Sequence, residues 1–289
     1  MINLFITILT ICVSLGSTAH GHEILVLQSL QVKPYEEALR GFKSACSADM
    51  RRLTVSDMEG ADLTRTIHEE RPGLILAIGA DALKKIKRIK DIPIIYLMVL
   101  NPQQIAGGGK NITGVSMNIP PEKYLALLRK ILAPPKMVGL LYDPVKTGSL
   151  VKKAQQAAGM MGIELLAKEV RRSKDVPELL NGMKGAINAF WMLPDTTVVT
   201  PETVEFFLLF SQEHKIPILT FANKYVEMGA LISLDIDAFD LGRQAGEMAK
   251  KALEGTPVRD LPRSDARRSV LKINRNVARK LGINPDTIE

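Results

Sequence analysis

Cysteine is almost missing from this chain: Cys12 and Cys46 are the two in 289 residues. So few exclude a disulfide-stapled scaffold, and without a C-x-x-C or H-E-x-x-H spacing the sequence supports no metal site. Histidine is as sparse, with His20, His22, His68 and His214 each isolated. Aromatic residues make up only 5% of the chain, which argues against the stacking platforms of single-strand nucleic-acid binders. No G-x-G-x-x-G or G-x-S-x-G occurs, and Gly107-Gly108-Gly109-Lys110 fails as a phosphate loop. Asn111 stands where that motif needs Ser or Thr, and Gln104 where it needs Gly. These absences leave no catalytic group and no cofactor to propose. No apolar run reaches the ~20 residues that a membrane-spanning helix requires.

What is present describes a globular protein. Apolar residues make up 46% and charged residues 24%, and 289 residues suit one large or two modest domains. The formal net charge of +7 would permit contact with nucleic acid or a membrane surface without demonstrating it. Leu4–Leu15 form an apolar run of twelve, followed by Gly16-Ser17-Thr18-Ala19-His20-Gly21. That pattern fits a signal-peptide core with small residues at the cleavage site, after Ala19 or after Gly21. The charge-free Met1-Ile2-Asn3 start is atypical, and the competing reading is a buried first strand or helix. Ile11 before Cys12 argues against a lipidated cysteine. The expectation is an exported, periplasmic or extracytoplasmic chain with residues 1–21 removed. Cys46 then remains alone, on a helical apolar pattern with Leu39 and Phe42, and reads as a small core residue.

The rest of the chain alternates short apolar runs with amphipathic segments. Strands are expected at Ile24–Leu27, Leu74–Ile78, Ile94–Val99, Val138–Tyr142, Ala189–Leu193, Ile216–Phe221 and Leu231–Leu234. Continuous apolar runs of this length mark strands buried on both faces. Helices are expected at Tyr35–Ala48, after Pro120-Pro121-Glu122 as far as Leu132, after Thr200-Pro201-Glu202, and over Leu241–Glu254 before Gly255. Alternation of this kind means parallel sheets with right-handed crossovers. The Gly-, Pro- and Asn-rich stretch Val99–Ile119 divides two similar halves, which implies two lobes with a cleft between them.

Two basic segments, Lys84–Lys90 with five positive charges and Arg259–Lys280 with eight against two acids, carry the positive charge. Ile86 and Ile89 suggest a helix with one buried stripe in the first. In an exported chain without a nucleic-acid motif, both read as solvated helix faces. Asn111-Ile112-Thr113 matches a glycosylation sequon, a pattern common by chance.

At Asn111-Ile112-Thr113-Gly114-Val115-Ser116 the chain resembles a known family. Val138-Gly139-Leu140-Leu141-Tyr142, Leu193-Pro194-Asp195-Thr196-Thr197-Val198 and Lys215-Ile216-Pro217-Ile218 continue the likeness. Asp240-Leu241-Gly242-Arg243-Gln244-Ala245 and the closing Ala278-Arg279-Lys280-Leu281-Gly282-Ile283 complete it. In this order the pieces resemble bacterial ABC transporter substrate-binding proteins of the tryptophan- and tyrosine-binding kind. The resemblance implies an α/β fold of the type I periplasmic-binding-protein architecture: two Rossmann-like lobes with parallel sheets and a three-crossover hinge. It implies a first lobe of residues 22–117 plus 238–265 and a second of 118–237 plus 266–289. It further implies a monomer that captures a small molecule and delivers it to an ABC permease of the inner membrane, with no nucleic-acid partner. A sensing module that reports to a membrane receptor or kinase is the alternative.

Ligands of open α/β sheets sit beyond the carboxyl ends of the strands, which places the expected site on the loops there. In the first lobe these supply Pro34, Tyr35, Gly79, Ala80, Asp81 and Asn101. In the second they supply Tyr142, Ser149, Asp195, Thr196, Phe221 and Asn223. Asp195 would pair with a ligand ammonium, or else hold a turn, and Tyr142, Phe221 or Tyr35 would cover an apolar side chain. Trp191, in mid-strand, reads as core. Three positions depart from the family's pattern. Asn101-Pro102 replaces Asp-Pro, Gly79-Ala80-Asp81 offers no hydroxyl, and Ala238 stands where an aromatic is expected. The expectation is a retained fold and closing motion, with a ligand that has diverged from a plain aromatic amino acid.

Overall fold

The computed structural model describes residues 23–58, 62–131 and 137–288. The expected export signal and Cys12 lie outside the described residues. The chain begins with β1 (Ile24–Gln28), α1 (Lys33–Ala45), β2 (Met50–Thr54), α2 (Leu63–Glu70), β3 (Leu74–Ile78) and α3 (Ala80–Ile86). Next come β4 (Ile94–Val99), α4 (Pro102–Ala106) and β5 (Ile112–Ser116). The alternation restarts with α5 (Pro121–Ile131), β6 (Met137–Tyr142), α6 (Gly148–Met161), β7 (Glu164–Glu169) and α7 (Val176–Asn181). It continues through β8 (Ala189–Trp191), α8 (Pro201–His214), β9 (Ile218–Thr220), α9 (Asn223–Met228) and β10 (Ile232–Ile236). α10 (Ala238–Leu253), β11 (Ser264–Asp265), β12 (Ser269–Ile273) and α11 (Arg275–Lys280) close the chain.

Among the described residues the strands form two six-stranded sheets, in the orders β11-β5-β4-β3-β1-β2 and β12-β10-β9-β8-β6-β7. Every pairing is parallel except that of β12 with β10. Among the described residues the chain passes between the sheets three times: from β5 to β6, from β10 to β11 and from β11 to β12. β1, β3 and β4 are buried along their whole length. Ile24 and Val26 pack into one core while Leu25 and Leu27 pack into another, so helices cover both faces of the first sheet. In the second sheet Val138 and Leu140 face one core and Leu141 the other.

Local chemistry sets the helix ends. Thr200 and Thr203 cap α8 reciprocally, and Pro201 opens its first turn. α1 and α10 lie backbone against backbone on the first sheet. A Cβ on Gly41 would strike the carbonyl of Phe239, and one on Gly242 the carbonyl of Ala38. Cys46 ends α1 and is buried in the same core.

The basic segments differ from expectation. α3 stops at Ile86, and Lys87–Lys90 turn away from the helix, although Ile89 still reaches the core. The stretch Arg259–Lys280 is no helix face either, because it carries β11, the third crossing, β12 and α11. Arg263 donates to the carbonyls of Gly107 (2.9 Å), Gly109 (3.2 Å) and Ile112 (3.3 Å), which holds the β5 loop in place. Arg267 donates to Asp240 and Glu247 on α10. Asn111 binds the carbonyls of Ile89 and Ile92 through its amide nitrogen, so the sequon's asparagine is a loop fastener.

Candidate functional site

The carboxyl ends of the two sheets face each other, and loops from both sides touch across the gap. Asn101 Nδ2 donates to the Lys146 carbonyl at 3.3 Å. Gln104 Nε2 donates to the carbonyls of Val145 (3.1 Å) and Lys146 (3.2 Å). The turn that presents Asn101 is built by unusual backbone. Met98 has φ 56° and Asn101 φ 48°, and the β4–β5 register breaks between Tyr96 and Val99. Asparagine enters the left-handed region readily, whereas a bulky side chain such as that of Met98 persists there only where its surroundings enforce it, a habit of functional sites.

Three cavities share walls at this edge. One of ≈ 160 Å³ is walled by Leu100, Met117, Tyr124, Trp191, Phe221 and Asp235, among others. A second, of ≈ 240 Å³, includes Asn101, Gln104, Asn118, Ser149, Lys153 and Asp265. A third, of ≈ 340 Å³, includes Pro34, Glu37, Met98, Asp235, Asp237 and Val270. The larger depression of ≈ 610 Å³ at Lys90–Pro93, Gly108–Asn111 and Pro257–Arg259 sits at the amino ends of β4 and β5, away from these loops. It has no aromatic wall, so the apolar cavity between the carboxyl edges is the better ligand site.

The aromatic wall is held from behind. Tyr124, on α5, stands 5.0 Å from Trp191 between ring centres and donates its hydroxyl to the Leu234 carbonyl at 3.1 Å. Burial first, and the nearby Asp235 second, push the Tyr124 phenol well above its ordinary pKa, so it stays a neutral donor. Trp191 is buried in the core, as expected, and also walls the cavity. Phe221 meets Tyr225 edge-on at 5.3 Å, which fixes its ring at the opening of α9.

The expected site residues divide. Phe221, Asn101, Ser149 and Pro34 line the three cavities. Asn223 donates its backbone N–H to Asp235 Oδ2 at 3.2 Å and so touches the cleft through that carboxylate. The remaining residues do not line these cavities. Tyr142 turns its hydroxyl to Glu169 at 3.4 Å, Thr196 accepts from Lys146 Nζ at 2.7 Å, and exposed Asp81 pairs with Lys84 at 2.9 Å. Gly79 and Ala80 open α3, where the hydroxyls of Tyr35 and Ser29 fill the space that a Cβ on Gly79 would take. Ser29 Oγ accepts from the Ala82 N–H at 2.9 Å, so a hydroxyl missing from Gly79-Ala80-Asp81 is supplied from β1's end.

Asp195 takes the turn-holding role. It is 2% exposed. Its Oδ2 accepts from Asp143 N (2.7 Å) and Thr147 Oγ1 (2.5 Å), and its Oδ1 from Thr197 N (2.9 Å) and Val198 N (3.3 Å). A carboxylate has about four acceptor positions, and all are used, which leaves none for a ligand ammonium. The carboxylate in the cavity wall with acceptor positions still open is Asp235, which is not among the expected site residues. It accepts from Asn223 N and from Ile236 N (2.7 Å), and burial pushes its pKa up. The signal was available: Asp235 follows the apolar run Leu231–Leu234, at the carboxyl end of a strand like every other expected site loop.

Two parallel-sheet lobes, three crossings and a walled cavity between facing carboxyl edges define a two-lobed solute-binding protein. The chain belongs to the ABC transporter substrate binding protein family, whose model matches residues 42–288, a family of binding proteins rather than enzymes. A tyrosine-binding protein of Clostridioides difficile (strain R20291) is 27% identical over 221 residues, 73% of this chain. The match spans 64% of that relative's length. Two solved structures share the fold. An ABC domain from Streptococcus pneumoniae in complex with L-Trp has TM-score 0.68 at 22% identity, with 93% of this chain and 97% of the other covered. The ligand-free, open structure of a Clostridium difficile substrate-binding protein with adhesive properties has TM-score 0.75 at 23% identity, covering 91% and 95%. Among the described residues, no helix is long and apolar enough to cross a membrane.

Proposed function

We propose that this protein is the exported solute-binding component of an ABC importer, which captures a small, amino-acid-like molecule with an apolar, aromatic side chain. The observation that carries this reading is the ≈ 160 Å³ cavity between the carboxyl edges, with Tyr124, Trp191 and Phe221 around it and Asp235 at its edge. The tyrosine-binding relative and the L-Trp complex of the pneumococcal neighbour support an aromatic amino acid as the starting point. The lobes are taken as residues 22–117 plus 238–265 and 118–237 plus 266–289. Binding drives their closure only through the ligand's greater affinity for the closed form. The closed monomer then delivers its ligand to a membrane permease from the extracytoplasmic side.

A thermal-shift screen of the purified protein against amino acids, nucleosides and small carboxylates tests the ligand class. A ligand at 100 times its Kd should add about 2.7 kcal/mol of stability. A screen in which no amino acid raises the melting temperature rejects the amino-acid reading. Amino-terminal sequencing of the protein from cells tests export, with cleavage expected after Ala19 or Gly21. A retained Met1 argues against it.

A further inference from the structure

The cavity's polar inventory is lopsided. Among the described residues its walls are apolar apart from the Tyr124 hydroxyl, the Trp191 indole, the Asn118 amide and one carboxylate, and no lysine, arginine or histidine lines it. The adjoining cavity that shares Asp235 adds Glu37 and Asp237, again without a cation. Glu37 already faces Arg40 at 3.7 Å, and Asp237 caps α10 by accepting from Asp240 N at 2.9 Å. Asp235 differs from both. Among the described residues its only hydrogen bonds are to two backbone N–H groups, each on its own oxygen, and no cation pairs with it. Two N–H contacts leave about half of a carboxylate's acceptor positions open.

A carboxylate half withdrawn from water without a counter-ion is costly, and closing the lobes would withdraw it further. A ligand that brings its own cation removes that cost in the closed form more than in the open one. We propose that Asp235 is the ammonium-binding group of the cleft, so that the ligand is a primary amine carrying a flat apolar body. The inference rests on the small-molecule reading of the cleft given above. Tyr124, Trp191 and Phe221 receive the body, and the amine docks at the β10 edge. Asp235 adjoins the β10-to-β11 crossing at Ile236 and Asp237, so charge compensation acts next to a segment that must flex.

Calorimetric titration with matched ligands tests this. The probes are tyrosine, tryptophan, tyramine and tryptamine, against hydroxyphenyl propionate and indole propionate, which lack the amine. The wild-type protein should bind its preferred amine about 100-fold more tightly than the matching des-amino acid. Asp235→Asn should abolish that ratio, binding the two alike. A merely structural role would weaken both ligands equally and leave the ratio intact, which overturns the proposal. Equal wild-type affinity for amine and des-amino probes overturns it too, while the aromatic cleft survives. Wild-type protein that binds none of the probes overturns both. Should Asp235→Asn fail to fold, Asp235→Ser takes its place, and an unchanged ratio in that folded variant overturns the proposal.

Discussion

Asp195 accepts the Thr147 hydroxyl at 2.5 Å, joining the loop after β8 to the loop after β6. With Asp143 N, Thr197 N and Val198 N on the same carboxylate, Asp195 is the tie that holds the second lobe's rim in shape. The residue that seemed placed for a ligand is the one that shapes the loops around it.

Replacing Asp195 by Ala leaves buried donors unsatisfied and should lower the unfolding free energy by about 3 kcal/mol. Urea denaturation reads this directly. Unchanged stability, with ligand affinity lost, would restore Asp195 to the binding site.

Trp191 is the chain's single tryptophan, and it both packs on Tyr124 and walls the cavity. Intrinsic emission therefore reports on the cleft without any label. A ligand that stabilises the protein should change the intensity or wavelength of Trp191 emission, and Trp191→Phe should abolish the signal while melting curves still report binding. A stabilising ligand that leaves the emission untouched places its site elsewhere.

Gly242 and Gly159 form a matched pair. Gly→Ala inside a helix ordinarily gains about 1 kcal/mol. A Cβ at Gly159 on α6 meets nothing within 4 Å, so Gly159→Ala should follow that rule. At Gly242 the added carbon meets the backbone of α1, and neither helix yields without disturbing the first sheet's core. Gly242→Ala should cost about 2 kcal/mol net by overpacking. Denaturation midpoints of the two variants should move in opposite directions.

Hydrogen bonds from Arg267 are the main cause holding the Asp240 and Glu247 carboxyls below the usual carboxylate range. A carboxyl with a depressed folded-state pKa stabilises the fold above its unfolded value and loses that contribution as pH falls. Stability should therefore decline from about pH 5 downward, and Arg267→Ala should flatten part of that acid limb. Unfolding free energies measured from neutral pH to about pH 2 test the difference. Superimposable wild-type and variant slopes would show that this cluster contributes nothing.

Much of the fold was written in the sequence, for a specific reason. β1, β3, β4 and β6 are continuous apolar runs because both faces of each sheet are covered, and runs of this kind are visible without any partner. β2 and β7 were not visible. They are edge strands with charged residues such as Arg51, Arg52, Glu164 and Lys168, the usual defence of an open edge. β5 hid behind Gly114 and Thr113 in a segment that composition marked as linker.

The sequence by itself determined the two-lobed α/β plan, the helix cap at Thr200, and the edge at which a ligand would sit, because these follow from local pattern and strand direction. Which carboxylate keeps acceptor positions open beside the cavity depended on the tertiary structure. Asp195 and Asp235 both lie near strand ends, and only the loops packed around them decide that one is saturated and the other open. The aromatic wall is likewise a tertiary product, since Tyr124 and Trp191 are 67 residues apart in the sequence and 5.0 Å apart in space.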